Sequence, residues 1–393
     1  MAAKITFFPV DNGDMTLVRL ADTRVTTLLI DIHIRVAADD PADPTPDVAS
    51  ELRKRLQFDR EGRPFVDAFL LSHPDKDHCS GLRKHFWLGD PDEYPDDELP
   101  LTEKRILIRE LWSSPMVFRR RSKNHTLCED AQAFNAEARR RVKYWRTYHS
   151  AGDGNRILIM GEDENGKTDD LTPIVVKAGE TFSTINGDSS SSMYFSARLL
   201  APAPKQADEK LEETLSKNHS SVILNLEIFP TILATKRTRF LTGGDAEVAI
   251  WQRLWDKYQN TPDVLAYDLL QAPHHCSWHS LSYDSWSTYK EEAEVCEEAR
   301  NALSQAREGA TIVASSKQIL DDDKDPPCIR AKREYQSIVR PVDGTFLCTG
   351  DGKRPELLEL EVQSGGSLVR IAAGVIAATG SAVAAAAPRA GRP

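Results

Sequence analysis

No CxxC pair and no dense cysteine framework links Cys79, Cys128, Cys276, Cys296, Cys328 and Cys348. That excludes a disulfide-stapled secreted fold and a cysteine-rich zinc module, and reads as thiols of a reducing compartment. No period of roughly 20–50 residues recurs, which excludes a solenoid or a propeller. The opening stretch MAAKITFFPVDNGD has one lysine before a strand-like run and lacks the apolar core and cleavage site of a secretory signal. A cytoplasmic location is therefore expected. The run 371–387 holds no charge, but Gly374, Thr379, Gly380 and Ser381 dilute it, and its length is at the lower limit for a membrane span. Residues 1–372 read as the folded body and 373–393 as an Ala-rich tail, with no stable membrane insertion expected.

What is present suffices for a sizeable core: 393 residues, 40% hydrophobic. The net charge of −10 argues against a general polyanion binder, yet it hides an asymmetry. Residues 104–146 carry twelve Lys/Arg against four Asp/Glu, a net +8, so the remainder carries −18. A basic insertion spanning about 104–148 on an acidic body suggests a surface that faces anions, against the alternative of a solvated helix face.

Along the chain, 5–10 and 16–20 read as a hairpin, and 26–34 as a strand ending near Asp31. Residues 66–73 form a nearly continuous apolar run, the mark of a strand buried on both faces. Further strands are expected at 104–112, 196–202, 220–228, 237–245, the end of 264–275, and 310–316, with a hairpin over 354–372. Helices are expected at 129–146, 246–259 and 289–306, and a polar surface excursion at 149–172. Alternating strands and helices mixed with hairpins suit an α/β (α+β) sandwich of two mixed sheets covered by helices.

The strongest chemical signal is Ser72-His73-Pro74-Asp75-Lys76-Asp77-His78, where a buried strand opens into a loop. Four ligand-type side chains lie within six residues. Imidazole with carboxylate suits Zn, Mn or Fe, and a tight loop can direct alternate side chains to two ions. Three more strand-end segments carry similar groups: Leu241-Thr242-Gly243-Gly244-Asp245, Ala272-Pro273-His274-His275-Cys276, and Asn218-His219-Ser220 before a strand. Taken singly, Asp245 reads equally as a helix cap, and His219 or His274 as a hydrogen-bonded structural residue.

Together these segments resemble the metallo-β-lactamase superfamily, and within it the soluble nuclease-like domain of ComEC-type DNA-uptake proteins. The matching stretches are Val10–Asp14 (a Gly-Asp hairpin), Leu29–Asp31, Ser72–Gly81 (His-x-Asp-x-Asp-His), Phe240–Asp245 and Pro273–Ser277, in order along the chain. The resemblance implies an αββα sandwich with a dinuclear site at one edge. It assigns His73 and Asp75 to one divalent ion, Asp77 and His78 to a second, and Asp245 to a bridge. Either His274 or His275 completes the second site, and His219 is an extra ligand or a proton donor. Asp75, where a second histidine is commoner, favours Mn or Mg beside Zn. Cys276 replaces the glycine of the family's His-His-Gly-Ser motif.

Two ions so placed would polarise a water for in-line attack, with Asp77 orienting it and His219, His275 or His279 protonating the leaving oxygen. Such chemistry serves phosphodiesters, lactams, thioesters and lactones alike. The group resembled and the basic segment favour a nuclease or other phosphodiesterase acting on DNA or RNA. Arg119, Arg120, Arg121, Arg140 and Lys143 are the candidate phosphate contacts. The alternatives are a hydrolase of a small metabolite or cyclic nucleotide, and a catalytically silent, metal-stabilised binding module.

Overall fold

The computed structural model describes residues 2–40, 42–121, 126–215, 220–352 and 355–371. The expected tail 373–393 and His219 lie outside these residues. The first sheet begins with β1 (Lys4–Phe7), β2 (Thr16–Arg19) and β3 (Thr27–Ile30); β4 (Ile32–His33) continues from β3 outside it. Next come β5 (Gln57–Phe58), β6 (Pro64–Leu70), β7 (Leu107–Ser113), β8 (Arg156–Met160) and β9 (Val175–Val176). The second sheet comprises β10 (Thr181–Phe182), β11 (Phe195–Ala201), β12 (Ile223–Ile228), β13 (Thr238–Leu241), β14 (Tyr267–Gln271), β15 (Ala306–Ala314) and β16 (Thr345–Cys348). The chain then returns to the first sheet with β17 (Leu358–Val362) and β18 (Leu368–Ile371).

Each sheet is antiparallel on one side and parallel on the other. In the first, β18, β17, β1, β2 and β3 pair antiparallel, and β3, β6, β7, β8 and β9 pair parallel. In the second, β10 to β13 are antiparallel and β13 to β16 parallel. The reversal falls at β3 in one sheet and at β13 in the other. Carboxyl ends of strands at such a reversal leave a crevice that a connecting chain does not cross.

Strand alternation explains the layers. Leu28, Ile30, Ala68 and Leu70 of the first sheet meet Leu224, Leu226, Phe240 and Leu269 of the second across the central core. Their neighbours Leu29, Val66 and Phe69 face outward under helix Glu129–Tyr148, which contributes Ala131, Phe134 and Ala138. On the other side, Leu241, Leu270 and Ile312 lie under helices Val248–Tyr258, Glu297–Leu303 and Ile329–Val339, through Trp251, Leu254, Leu303 and Tyr335. The result is a helix–sheet–sheet–helix sandwich. Among the described residues no helix is long and apolar enough to cross a membrane.

Residues 149–172 differ from the expected polar excursion: Arg156–Met160 is β8, parallel to β7 and buried at Ile157, Ile159 and Met160. Its five residues are too few to stand out against polar flanks, and pairing with β7 makes the strand. The span 104–148 supplies the inner strand β7 and the helix that covers it. Arg141, fully buried, joins the two by donating to the Ile108 and Arg156 carbonyls and to Glu137.

Candidate metal centre

All seven residues of β6 are buried, because alternate side chains serve the central and the outer core. The chain leaves the sheet at Leu71, and the one-turn helix Lys76–Cys79 sets Asp77 and His78 on consecutive positions. Asp245 follows β13, where the second sheet reverses, and His275 follows its parallel neighbour β14, so the two strand ends deliver their side chains to one place. Gly244 (φ +48°) makes the approach possible, since a Cβ there would stand 2.7 Å from the Ser221 Cβ. Ser221 Oγ in turn accepts from the Asp245 N–H at 2.9 Å.

Asp245 sits between two groups. Its Oδ2 is 3.7 Å from His73 Nδ1, which lies 3.8 Å from Asp75 Oδ2. Its Oδ1 is 2.9 Å from His78 Nε2 and 3.4 Å from His275 Nε2, and the latter is 3.4 Å from Asp77 Oδ2. Potential donor atoms of His73, Asp75 and Asp245 lie within 4.8 Å of one another, as do those of Asp77, His78, Asp245 and His275. His274 turns elsewhere, with Nδ1 3.3 Å from Glu247 Oε1. Three consecutive left-handed residues, His274, His275 and Cys276 (φ 49°, 53° and 67°), separate the two imidazoles. Asp77 is the most open of the group, its side chain 35% exposed.

Outer contacts aim the ring nitrogens. His78 Nδ1 is 2.9 Å from Asp31 Oδ2, and His275 Nδ1 is 3.2 Å from the Ser315 carbonyl oxygen. Each acceptor favours the proton on Nδ1 and leaves Nε2 as the inward-facing donor atom. Asp31 also accepts from the Ser72 N–H at 2.6 Å, which ties it to the ligand loop. Asp14, from the β1–β2 turn, is buried 3.5 Å from His275 Nδ1 and 3.8 Å from His78 Nδ1. A Cβ at neighbouring Gly13 would strike His33 Nδ1 at 2.1 Å, so glycine is required for that turn to close on the loop.

The inner atoms remain unsatisfied by protein. His73 Nδ1, His78 Nε2, His275 Nε2, Asp245 Oδ1 and both Asp14 oxygens are buried without a hydrogen-bond partner among the described residues. Even the 2.9 Å approach of His78 to Asp245 is too oblique to be a hydrogen bond. Buried polar groups are ordinarily paired, and donor atoms that converge without pairing are the arrangement a cation satisfies. Three imidazoles with carboxylates fit Zn or Mn, while imidazole makes Mg a poorer match.

Proton equilibria without metal reflect the same crowding. Burial disfavours a charged His78, but Asp245 and Asp31 hold it well above the ordinary histidine value. His275 is raised to about 10, Asp245 and Asp14 outweighing its burial. Burial would raise the Asp77 carboxyl, yet the neighbouring His275 imidazole and the charge of His78 bring it to about 2. Burial pushes His73 below its ordinary value.

Sequence reasoning singled out His73, Asp75, Asp77, His78, Asp245 and His275, and the structure brings these six together. It assigned no site role to Asp14 and Asp31. Their signal was present, since each is an acid directly after a turn glycine or a buried strand. The candidate phosphate contacts divide differently. Arg120 is buried, donating to Glu212 and to the Ala203 and Pro204 carbonyls, and Arg140 binds Glu137, Asn155 and Gly154. Arg119 pairs with Asp163. Arg121 and Lys143 form no ion pair among the described residues, and they line a 930 Å³ groove with Arg119 and Arg139. Comparison with protein-family models and with curated proteins finds no match for this chain.

Proposed function

We propose that the chain is a metallo-β-lactamase-like metallohydrolase that cleaves phosphodiesters at a dinuclear site. The observation that carries this reading is the shared carboxylate: Asp245 faces His73 with one oxygen and His78 and His275 with the other. Bound there, two divalent ions would supply Lewis acidity and lower the pKa of an attacking water. His73 and Asp75 hold one side, and Asp77, His78 and His275 the other. Asp77, partly exposed, would orient the attacking water. With His275 inside the cluster, His279, 3.9 Å from Asp325, is the proton donor proposed for the leaving oxygen.

The test is metal analysis of purified protein, followed by incubation with labelled single-stranded DNA, duplex DNA and RNA in Zn²⁺, Mn²⁺ or Mg²⁺. Two ions per chain and cleavage lost in Asp77→Ala are expected. Absence of bound metal overturns the reading. A second reading, a small phosphodiester such as a cyclic nucleotide, draws on the internal pairing of Arg119, Arg120 and Arg140, which leaves few cations for a polymer backbone. Lys143→Ala separates the two. With a nucleic-acid substrate it lowers affinity and reduces the salt slope by about one, whereas a cyclic nucleotide is cleaved as before.

A further inference from the structure

Cys79 directly follows His78 and ends the helix Lys76–Cys79. Cys128 is the N-cap of helix Glu129–Tyr148, where its Sγ accepts from the Ala131 N–H at 3.5 Å. Forty-nine residues separate them in sequence, yet their Sγ atoms are 3.4 Å apart and both are free thiols. A disulfide bond measures about 2.05 Å, so closure asks for about 1.4 Å of movement shared between the two elements. The Cys79 Sγ also lies 3.2 Å from the Asp75 carbonyl oxygen. Through the chain and through that contact it touches two of the residues given to the metal cluster.

We propose that Cys79 and Cys128 are a redox-active pair whose disulfide draws the ligand loop toward the long helix and weakens metal binding. This is regulation of the same site and rests on the dinuclear reading above. The oxidant is a peroxide. Cys128, half-buried where Cys79 is buried, attacks first: an S–O bond forms, the O–O bond breaks, and one water leaves. The Cys79 sulfur then attacks that sulfur, an S–S bond replaces the S–O bond, and a second water leaves. Two electrons pass from the thiols to the peroxide. Attack by Cys128 is favoured by its hydrogen bond from Cys79, which with the Ala131 N–H lowers its thiol to about 6 despite partial burial.

The experiment treats metal-free full-length protein with one equivalent of hydrogen peroxide. Intact mass and an unreduced digest are recorded, and zinc affinity is measured against a chromogenic chelator before and after. Cys128→Ser is run alongside, because serine preserves the helix cap. The parent is expected to lose about 2 Da, yield a Cys79–Cys128 linked peptide, and bind zinc at least about tenfold more weakly until dithiothreitol is added. Cys128→Ser binds zinc as the reduced parent does and ignores peroxide. No linked peptide, or a linked peptide with unchanged zinc affinity, overturns the proposal. Reduced parent that binds no zinc overturns the dinuclear reading and this regulation with it, whether or not the disulfide forms.

Discussion

The two edges of the first sheet's parallel strands handle charge in opposite ways. At the amino-terminal edge a cavity of 820 Å³ is lined by arginines and acids that pair with one another. Arg109 reaches Asp67 and Asp153, each at 3.1 Å, Arg156 meets Asp153 at 2.6 Å, and Arg24 pairs with Asp188. At the carboxyl-terminal edge Asp14, Asp31, Asp77 and Asp245 have no Lys or Arg partner among the described residues. Among the described residues, the ionisable side chains that pair with them are histidines. At one edge guanidinium groups meet the carboxylates; at the other the facing positive charge is imidazole, which the carboxylates hold protonated in the metal-free protein. Local density of ionisable residues thus does not separate the two edges; the lack of Lys and Arg beside the carboxylates does.

The largest effect should come from breaking the unpaired edge at its shared residue. Asp245→Ala is expected to reduce bound metal from two ions per chain to one or none, and to lower turnover by more than about 10²-fold, comparable to losing one catalytic electrostatic partner. Zinc at about 100 times its dissociation constant should stabilise the parent by about 2.7 kcal/mol per site. A chelator removes that increment, and Asp245→Ala never shows it in thermal unfolding. The corresponding break at the paired edge is Asp67→Ala. It leaves the Thr27 N–H and hydroxyl without their acceptor and Arg109 with Asp153 alone, costing about 2–3 kcal/mol of stability. Metal content and metal-dependent stabilisation stay at the parent's values. Loss of metal in Asp67→Ala would erase the distinction between the two edges.

The sequence displays one edge better than the other for a physical reason. His73 to His78 are legible because β6 is buried on both faces and reads as an unbroken apolar run, so its end is plain. Asp245 and His275 are legible for the same reason, as chemistry placed directly after a strand. Choosing between His274 and His275 was beyond the sequence, because both lie in left-handed backbone and neighbouring elements decide which ring turns inward. The +8 of residues 104–146 suggested a free basic surface. Its partners Asp67, Asp163, Asp170 and Glu212 lie outside that segment, and only the fold brings them to Arg109, Arg119, Arg146 and Arg120. β8 was hidden likewise, since four apolar residues after Arg156 become a strand through pairing with β7.

A smaller, graded effect should appear with pH. In the metal-free protein His275 sits at about 10, against about 6.5 in an unfolded chain. Its interactions with Asp245 and Asp14 therefore stabilise the fold fully below about 6.5, and that contribution is lost as pH rises toward 10. Metal binding runs the other way, because a ligating imidazole must be neutral. Zinc affinity should rise about tenfold per pH unit for each proton displaced, up to about pH 10. Calorimetric titrations at pH 6, 7 and 8, in buffers of different ionisation enthalpy, measure both the slope and the proton count. A pH-independent affinity would mean that His275 is not displaced from its proton by metal.

The smallest effect is expected where strain and burial oppose each other beside the cluster. Cys276 is fully buried at φ 67°, a conformation that L residues adopt at a cost of about 1 kcal/mol and glycine adopts freely. Cys276→Gly relieves that strain but removes a side chain packed in the core under helix Ile329–Val339. Burying a small apolar side chain is worth about 1–2 kcal/mol. The two terms nearly cancel, so the unfolding free energy should change by less than about 1 kcal/mol with metal affinity unaltered. A loss above about 3 kcal/mol in denaturant titration would show that packing, not backbone strain, governs this turn. A gain in zinc affinity would show instead that strain at residue 276 holds His275 short of its best position, and the unpaired edge would then be under tension as well as short of positive charge.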